Sequence, residues 1–283
     1  MQLGFIGLGN MGLSIAQHWA VPEHALSVYD LVPAGPAEMK ERGARIARSP
    51  AEVARNADLI GVCVRDDEDV REVMEGPHGI LSAAQPGLLV AIHSTVRVAT
   101  VREVADRASE RGVRVVDAAV TRSFAEPGAR SLIFMLGGEP ADVERAEPIL
   151  ALSALEVVKT GALGTGMALK LCNNLLTYLT VVCGKDAINL AEAAGLDVGL
   201  LADVTASNGV AGTTLTYVLS NRAGRAGPAI DEVPSPTMTA DIAEKDLDNV
   251  LDAGAELNVA LPAVELARRE FRKALLHIHR EPR

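Results

Sequence analysis

Apolar residues in the first 160 positions form short continuous runs that are separated by stretches with helical spacing. Residues 3–6 form a short apolar run, and residues 59–64 and 88–93 form continuous apolar runs, which are typical of strands buried on both faces of a sheet. Further strands are predicted at residues 26–30, 113–120 and 132–136. Between two of these segments, Val101, Val104 and Ala108 recur at helical spacing, and Gly112 ends that pattern. Strands that alternate with helices predict βαβ units and a parallel sheet.

Strand patterns end near residue 160, where glycines 161, 164 and 166 indicate a joint between domains. A long helix follows, with further helices around residues 185–194, 198–206, 239–256 and 263–276. Its apolar face consists of Ala168, Leu171, Cys172, Leu175, Leu176, Leu179, Val182 and Cys183, and its polar stripe of Lys170, Asn173, Asn174 and Thr177. We therefore predict an α/β domain over residues 1–162 and an all-α domain over residues 163–283.

Composition narrows the possible functions. The 283 residues carry a net charge of −10 and only 3% aromatic side chains, which disfavours nucleic acid, an anionic membrane surface and base-stacking platforms as partners. Three cysteines without a C-x-x-C spacing predict neither a disulfide framework nor a zinc site, and no other metal site is indicated. The most apolar stretch, residues 175–184, is shorter than the roughly 20 residues of a membrane helix. With no basic segment at the N-terminus, these features predict a cytoplasmic protein.

The motif Gly7-x-Gly9-x-x-Gly12 follows a predicted strand and opens a predicted helix that extends to about Ala20. Its glycines permit a tight turn and a close approach of the backbone to a pyrophosphate, while the helix N-terminus supplies N–H donors. Asp30 ends the second strand, where its carboxylate can accept both hydroxyls of an adenosine ribose. The same carboxylate would repel a 2′-phosphate, and no arginine follows it directly, so NAD is favoured over NADP. A glycine-rich turn without a ligand is the alternative.

Five motifs in sequence order resemble those of the β-hydroxyacid dehydrogenases, the family of 3-hydroxyisobutyrate dehydrogenase and tartronate semialdehyde reductase, related to 6-phosphogluconate dehydrogenase. They are GFIGLGNMG at the N-terminus, His93-Ser94-Thr95-Val96, Asp117-Ala118-Ala119-Val120-Thr121, Gly164-x-Gly166-x-x-x-Lys170-x-x-Asn173-Asn174 and Glu244-Lys245-Asp246-Leu247. The match spans most of the chain. The resemblance implies a Rossmann-type dinucleotide-binding domain followed by an all-α domain, NAD as cofactor, and a homodimer or tetramer.

The resemblance also implies a role for each matching position. Lys170 would be the general acid–base that handles the alcohol proton, and Asn174 would orient Lys170 and the substrate. Cofactor contacts would come from Gly7, Gly9, Asn10, Met11, Gly12, Asp30, Val64, Thr95 and Lys245. Substrate contacts would come from Ser94, Thr121, Arg122, Ser123 and Asn173.

The residue types around Lys170 agree with this role. Burial lowers the pKa of a lysine towards neutrality, which suits proton transfer, and the neighbouring amides of Asn173 and Asn174 can accept from its ammonium without adding a charge. The alternative is a surface lysine whose alkyl chain lies on apolar neighbours.

Residues 121–123 depart from the family pattern, which commonly has Ser-Gly-Gly where this chain has Thr121-Arg122-Ser123. An arginine can pair through its planar fork with a carboxylate, sulfonate or phosphate. Sulfolactaldehyde reductase, which belongs to the same family, carries an Arg–Ser variation at this turn and acts on a sulfonate. We therefore expect a substrate with an extra anionic group. The alternative is that Arg122 points outward to Glu126 or Glu139.

The sequence thus predicts an enzyme that interconverts a small anionic 3-hydroxy acid and its semialdehyde with NAD. Two alternatives stay open. An imine reductase resembles this chain in architecture but has another residue in place of the catalytic lysine. A non-catalytic dinucleotide-binding protein has lost that lysine, so Lys170 counts against both alternatives.

Overall fold

The computed structural model describes residues 1–122, 130–226 and 235–278, and these fall into two compact units. The first unit, here called the sheet unit, ends at Lys170, and the second, the helical unit, starts at Leu171. The division lies within one long helix, Thr165–Ala193. The predicted domain boundary between residues 162 and 163 lies just before that helix and stays a prediction.

In the described part of the sheet unit, eight strands form one sheet in the order β3-β2-β1-β4-β5-β6-β7-β8. The strands are β1 (Gln2–Ile6), β2 (Ala25–Tyr29), β3 (Arg45–Ile46), β4 (Leu59–Val62), β5 (Leu89–Ile92), β6 (Arg114–Arg122), β7 (Leu132–Gly137) and β8 (Ala154–Gly161). The helices are α1 (Asn10–Ala16), α2 (Ala34–Glu41), α3 (Pro50–Ala54), α4 (Asp67–Glu75), α5 (Val98–Ser109) and α6 (Pro140–Leu150), with a short 3-10 helix at Ile80–Ser82.

Neighbouring strands pair in parallel except β6 and β7, which are antiparallel. The expectation of a parallel sheet is therefore confirmed for most of the sheet and wrong for this pair. A parallel return requires a crossover of about a dozen residues or more, and only residues 123–131 separate β6 from β7.

Two apolar clusters cover the two faces of this sheet. Phe5 and Trp19 belong to one cluster, and Ile6, Val62 and Ile92 belong to the other. Because neighbouring residues of a strand point to opposite faces, a strand covered on both sides needs apolar residues in succession. This explains why the central strands were readable as continuous runs.

Some elements differ from the predicted ones. The helix after the glycine motif was expected to reach about residue 20, but α1 ends at Ala16, and Trp19 lies fully buried in the following turn. Strand β8 has no counterpart among the predicted strands, because its residues are mostly exposed or half-buried and include Glu156, Lys159 and Thr160. Such a strand lacks the apolar run on which the other strands were recognised.

The helical unit consists, in its described part, of the remainder of α7 (Thr165–Ala193), with α8 (Val198–Ser207), α9 (Thr213–Arg222), α10 (Pro236–Glu256) and α11 (Pro262–Ile278). The prediction of helices after residue 160 is confirmed, but residues 185–193 continue α7 rather than forming a helix of their own. Helix α9 was missed, since it begins with residues of low helix propensity such as Thr213 and Thr214.

Helix α7 leaves a row of apolar side chains exposed along its length. Leu176 and Leu190 are 65% and 73% exposed, and Cys172 and Cys183 are also exposed. By length and composition α7 is the one helix of the described residues that could cross a membrane, which the shorter stretch 175–184 had not suggested. One such helix is weak evidence, because core helices pass the same test, and α7 also carries Lys170 and Asn174 in buried positions. The cytoplasmic location stays a prediction.

Candidate active site

The glycine loop, residues 7–12, lies between the carboxyl end of β1 and the start of α1. Gly7 has a φ of +90°, and a Cβ there would stand 2.2 Å from the carbonyl oxygen of Cys63. A Cβ at Gly12 would stand 1.9 Å from the carbonyl oxygen of Gly7, whereas one at Gly9 would meet no atom within 4 Å. The first and last glycines are thus required by the turn itself, while the middle one keeps an open approach to the backbone.

The start of α1 can serve as an anion site. Gly9 is its N-cap and contributes no side-chain hydrogen bond, so the first N–H groups of the helix point outward with the positive end of the helix dipole. Asn10 is exposed and Met11 is half-buried at this end. These features fit the pyrophosphate of a dinucleotide.

Asp30 directly follows β2 and ties this strand end to the glycine loop. One carboxylate oxygen accepts the Leu8 N–H at 2.5 Å, and the other accepts the Val32 N–H at 2.7 Å. Each carboxylate oxygen has a second lone pair, so acceptors remain for ribose hydroxyls. Leu31 beside it is 81% exposed and carries no charge.

The loops after β4 and β5 hold the next group of candidate residues. Val64 is half-buried, and its N–H donates to the hydroxyl of Ser94, which is buried, at 2.8 Å. Thr95 is half-buried. The hydroxyl of Ser94 therefore fixes the backbone at Val64. The predicted contact of Ser94 with the substrate stays a prediction.

His93, at the end of β5, is a core residue. Its ring stacks on Phe5 with centroids 5.8 Å apart, and Nδ1 lies 2.8 Å from the carbonyl oxygen of Ala118. Burial lowers the pKa of His93 to about 4, with the hydrogen bond to Ala118 acting in the opposite direction. The imidazole is therefore neutral at physiological pH.

The residues that end β6 bring an unexpected contact. Arg122 is half-buried and donates to the hydroxyl of Ser14 in α1 at 2.6 Å, and Ser14 in turn donates to the carbonyl oxygen of Asn10. Neither the expected substrate contact nor the outward alternative had named Ser14 as a partner. Thr121 is half-buried, whereas Ser123 and Glu126 lie outside the described residues.

Lys170 lies near the start of α7 and is only 9% exposed. Its positive charge acts on the thiol of Cys63, where burial raises the pKa to about 12 and Lys170 lowers it. Cys63 directly follows β4, and its carbonyl oxygen is the atom that a Cβ on Gly7 would meet. Lys170 is therefore a buried lysine within electrostatic range of Cys63, the residue that borders the glycine loop.

In the helical unit, a buried carboxylate gathers several of the predicted residues. Asp246 accepts from Asn174 at 2.8 Å and from the Tyr178 hydroxyl at 2.7 Å on one oxygen, and from Lys245 at 2.8 Å on the other. Asp246 is 2% exposed and Asn174 is 6% exposed. We call these four residues the Asp246 cluster.

Two members of the Asp246 cluster were not predicted as site residues. Asp246 had appeared only within a motif, and Tyr178 had not been considered. Tyr178 lies four residues after Asn174, which itself lies four after Lys170, so the three recur on one side of α7. This spacing was the available signal. Asn173, the remaining predicted substrate residue of α7, donates to the side chain of Asn174 at 3.3 Å.

The described residues contain no group of three or more His, Cys, Asp or Glu side chains arranged to hold a metal ion. The arrangement can bind a dinucleotide on the sheet unit, and it offers one buried lysine for proton transfer.

Two family models cover nearly all of the chain. The model for the NAD binding domain of 6-phosphogluconate dehydrogenase matches residues 2–164. The model for the NAD-binding domain of NADP-dependent 3-hydroxyisobutyrate dehydrogenase matches residues 164–281.

Individual proteins agree with these models. An uncharacterised oxidoreductase of Mycobacterium tuberculosis is 33% identical over 94% of this chain and 90% of its own length. The mitochondrial 3-hydroxyisobutyrate dehydrogenase of Mus musculus is 36% identical over 71% of this chain and 60% of its own length. A solved structure of Mycobacterium tuberculosis 3-hydroxyisobutyrate dehydrogenase with L-serine has a TM-score of 0.82 at 27% identity and covers 98% of both chains. An imine reductase of Streptomyces aurantiacus shares only the fold, with 17% identity, a TM-score of 0.64 and coverage of 99% and 100%.

Proposed function

This chain belongs to the β-hydroxyacid dehydrogenase family, and from that premise we propose that it interconverts a small 3-hydroxy acid and its semialdehyde with NAD. Enzymes of this family are NAD(P)-dependent oxidoreductases that act on CH–OH groups. The nicotinamide supplies the hydride acceptor or donor when it is bound. The protein must bind and orient it, hold the substrate acid group, and move the alcohol proton.

Lys170 moves that proton in our proposal. The observation that carries it is that Lys170 is buried within electrostatic range of Cys63, whose carbonyl oxygen borders Gly7 of the glycine loop. A surface lysine keeps its amine in water while its alkyl chain lies on apolar neighbours, whereas Lys170 is buried, so its burial supports a functional role rather than the surface-lysine alternative. In the reducing direction Lys170 gives a proton to the carbonyl oxygen, and in the oxidising direction its neutral amine takes the hydroxyl proton.

Asn174 orients the substrate and Lys170 in this proposal. Its amide nitrogen donates a hydrogen bond to Asp246, and this bond also fixes the direction in which the amide oxygen points. The buried carboxylate of Asp246 thus selects one of the two amide orientations of Asn174. Tyr178 and Lys245 complete the coordination of Asp246 and hold it in place.

For the cofactor we propose contacts from the glycine loop, Asp30, Val64 and Thr95 of the sheet unit and, from the family resemblance, a contact from Lys245 of the helical unit. Asp30 supports NAD rather than NADP, because a carboxylate about 4 Å from a 2′-phosphate would repel it by several kcal/mol at an effective dielectric near 20. One of the matching family models is named for an NADP-dependent enzyme, so the preference needs a direct test.

The substrate acid group is held, in this proposal, by Ser94, Thr121, Arg122, Ser123 and Asn173. Arg122 supports a substrate with a second anionic group. Its bond to Ser14 holds the guanidinium against α1, and a guanidinium is the side chain best shaped to recognise a carboxylate, sulfonate or phosphate.

The exposed row on α7 supports assembly into a homodimer or tetramer. It comprises Leu169, Cys172, Leu176, Cys183 and Leu190, which recur at helical spacing over some 20 residues. Contiguous apolar surface of this kind is typical of protein–protein interfaces, and a second copy of this chain is the partner we propose.

The experiment that tests this function measures NADH oxidation with semialdehydes that carry zero, one or two anionic groups besides the aldehyde. We expect turnover to rise with the number of anionic groups, and Arg122→Gly to lose the doubly anionic aldehydes selectively. Arg130→Gly is the matched control, because Arg130 is an exposed arginine that donates to a backbone carbonyl.

Equal turnover of all aldehydes by wild type and Arg122→Gly would contradict the role of Arg122 but leave the dehydrogenase activity standing. Reduction of cyclic imines without any semialdehyde turnover would favour an imine reductase. NADH binding without turnover of either class would favour the non-catalytic alternative.

A further inference from the structure

Asp117 is a buried carboxylate in the middle of β6 that the proposed reaction does not use. It has no exposed surface, and its two oxygens accept hydrogen bonds from backbone N–H groups at the start of α7. Oδ1 accepts from Gly164 at 2.7 Å, and Oδ2 accepts from Met167 at 2.6 Å. Burial raises the pKa of Asp117, and the hydrogen bonds from Gly164, Met167 and Gly166 act in the opposite direction. The carboxylate thus satisfies several N–H groups that a helix start leaves unpaired.

Two glycines bring the sheet and the start of α7 unusually close around this carboxylate. A Cβ at Gly137 in β7 would stand 2.7 Å from Oδ1 of Asp117. A Cβ at Gly166 would stand 2.2 Å from the carbonyl oxygen of Met135. Any larger residue at either position would push the start of α7 away from the sheet. The position of this helix start relative to β6 and β7 is therefore fixed by close contacts.

Lys170 lies one turn further along the same helix. It follows Met167 by three residues, which is about 4.5 Å of helix rise at 1.5 Å per residue. Asp117, Met167 and Lys170 all belong to the sheet unit. A shift of the first turn of α7 relative to the sheet therefore also shifts the backbone of Lys170.

We propose that Asp117 is a positioning residue for Lys170: its carboxylate seats the first turn of α7 on β6 and so sets where the proton-transferring amine stands. This inference rests on the proposed function of Lys170. Proton transfer needs the amine within hydrogen-bond distance of the substrate oxygen, and a misplacement of about 1 Å can cost about 10²-fold in rate.

A double-mutant cycle on the full chain tests this inference. The variants are Asp117→Asn, Lys170→Ala and the two combined, with kcat measured per mole of folded enzyme. Asparagine keeps the shape but replaces one acceptor oxygen with an N–H donor that faces a backbone N–H. We expect Asp117→Asn to lower kcat by about 10- to 100-fold in the wild-type background and by less than about 2-fold in the Lys170→Ala background. The dissociation constant of NADH, measured by fluorescence titration, stays unchanged.

Asp142→Asn is the matched control. Asp142 is 5% exposed and also lies in the sheet unit, but it pairs with the side chains of Arg114 and Arg145 away from α7. Its variant is expected to lose stability and keep kcat. If Asp117→Asn does not fold, Gly137→Ala places one methyl group against the Asp117 carboxylate and against the backbone of Ala162 and Gly166 before Lys170, and it is expected to show the same dependence on Lys170.

An equal loss of kcat from Asp117→Asn in both backgrounds would overturn the inference, because the effect would then not act through Lys170. An unchanged kcat in the wild-type background would overturn it as well. Wild-type turnover by Lys170→Ala alone would contradict the proposed role of Lys170 in proton transfer. That single variant tests the role of Lys170, whereas the comparison of the two backgrounds tests the role of Asp117.

Discussion

His93 makes the stability of the sheet unit depend on pH. The imidazole is fully buried between aromatic rings, and burial lowers its pKa from 6.5 to about 4. Between these two pH values the unfolded chain binds a proton at His93 that the folded chain does not bind. Stability is therefore expected to fall as the pH drops below about 6.5 and to level off below about 4. At 1.36 kcal/mol for each pKa unit, the loss attributable to His93 is about 3 kcal/mol.

The assay is guanidinium unfolding followed by tryptophan fluorescence at several pH values. Trp19 is the single tryptophan of the chain, and its ring lies 6.2 Å from that of His93, so the signal reports the sheet unit. His93→Phe keeps a ring in the stack but has no proton to bind. We expect it to lose about 1–3 kcal/mol at pH 7, because the carbonyl of Ala118 loses its donor. Its stability should then change between pH 7 and pH 4 by about 3 kcal/mol less than that of wild type.

Carboxylates whose pKa is lowered in the folded state, such as Asp69 and Glu244, also make the protein less stable in acid. Their contribution to the free energy of unfolding is the same in wild type and in His93→Phe, so it cancels in the comparison. His78→Phe is the control, because His78 is exposed. Parallel pH profiles of wild type and His93→Phe would refute the reasoning, since they would mean that His93 titrates alike in the folded and unfolded chain.

Three further predictions concern the site. Asp30→Asn combined with Leu31→Arg is expected to raise the ratio of kcat/KM for NADPH to kcat/KM for NADH by at least about tenfold, because a repelling carboxylate is replaced and a cation is added. An unchanged ratio in steady-state kinetics would show that Asp30 does not determine the cofactor preference. Asp246→Asn is expected to lower kcat by about 10- to 100-fold at unchanged helix content by circular dichroism, because asparagine has one acceptor oxygen where Asp246 uses two, for Asn174 and Tyr178 on one side and for Lys245 on the other. Asp248→Asn, which breaks a partly exposed pair with Arg268, should keep kcat. Cys63 is expected to resist iodoacetamide at pH 8 in the native protein, because burial raises the pKa of its thiol to about 12. The exposed Cys172 and Cys183 are expected to react in dilute protein and to become protected as dimers form. Mass spectrometry that finds Cys63 labelled first would contradict the burial of its thiol.

The sequence was sufficient for those features that depend on local pattern. The strands next to the glycine loop are apolar on both faces. Ser49, followed by Pro50 and by Glu52 three residues on, has the local pattern of a helix N-cap, and its hydroxyl accepts from the Glu52 N–H in the structure. The glycine loop itself was readable because Gly7 and Gly12 are required by the turn in which they lie. In each case the residues that determine the feature are close together in the chain.

Contacts between distant segments were not readable in this way. Asp246 meets Asn174 across 72 positions of sequence, and Arg122 meets Ser14 across 108. Motifs marked Lys245 and Asn174 as separate candidates, but only the packing of α7 against α10 shows that the carboxylate of Asp246 joins them. The antiparallel return of β7 and the polar strand β8 were missed for the same reason, since neither has a distinctive local pattern.

The central claim is that Lys170 transfers the proton in an NAD-dependent interconversion of a hydroxy acid and its semialdehyde. The most direct measurement compares kcat of wild type, Lys170→Ala and Lys185→Ala with saturating NADH and the best semialdehyde, together with NADH binding by each. Lys185 lies on the same helix and pairs with Asp186, so it controls for the loss of a lysine from α7. The account predicts that Lys170→Ala lowers kcat by about 10²–10⁴-fold while NADH binding and the Lys185→Ala enzyme stay near wild type. Wild-type turnover by Lys170→Ala would contradict it.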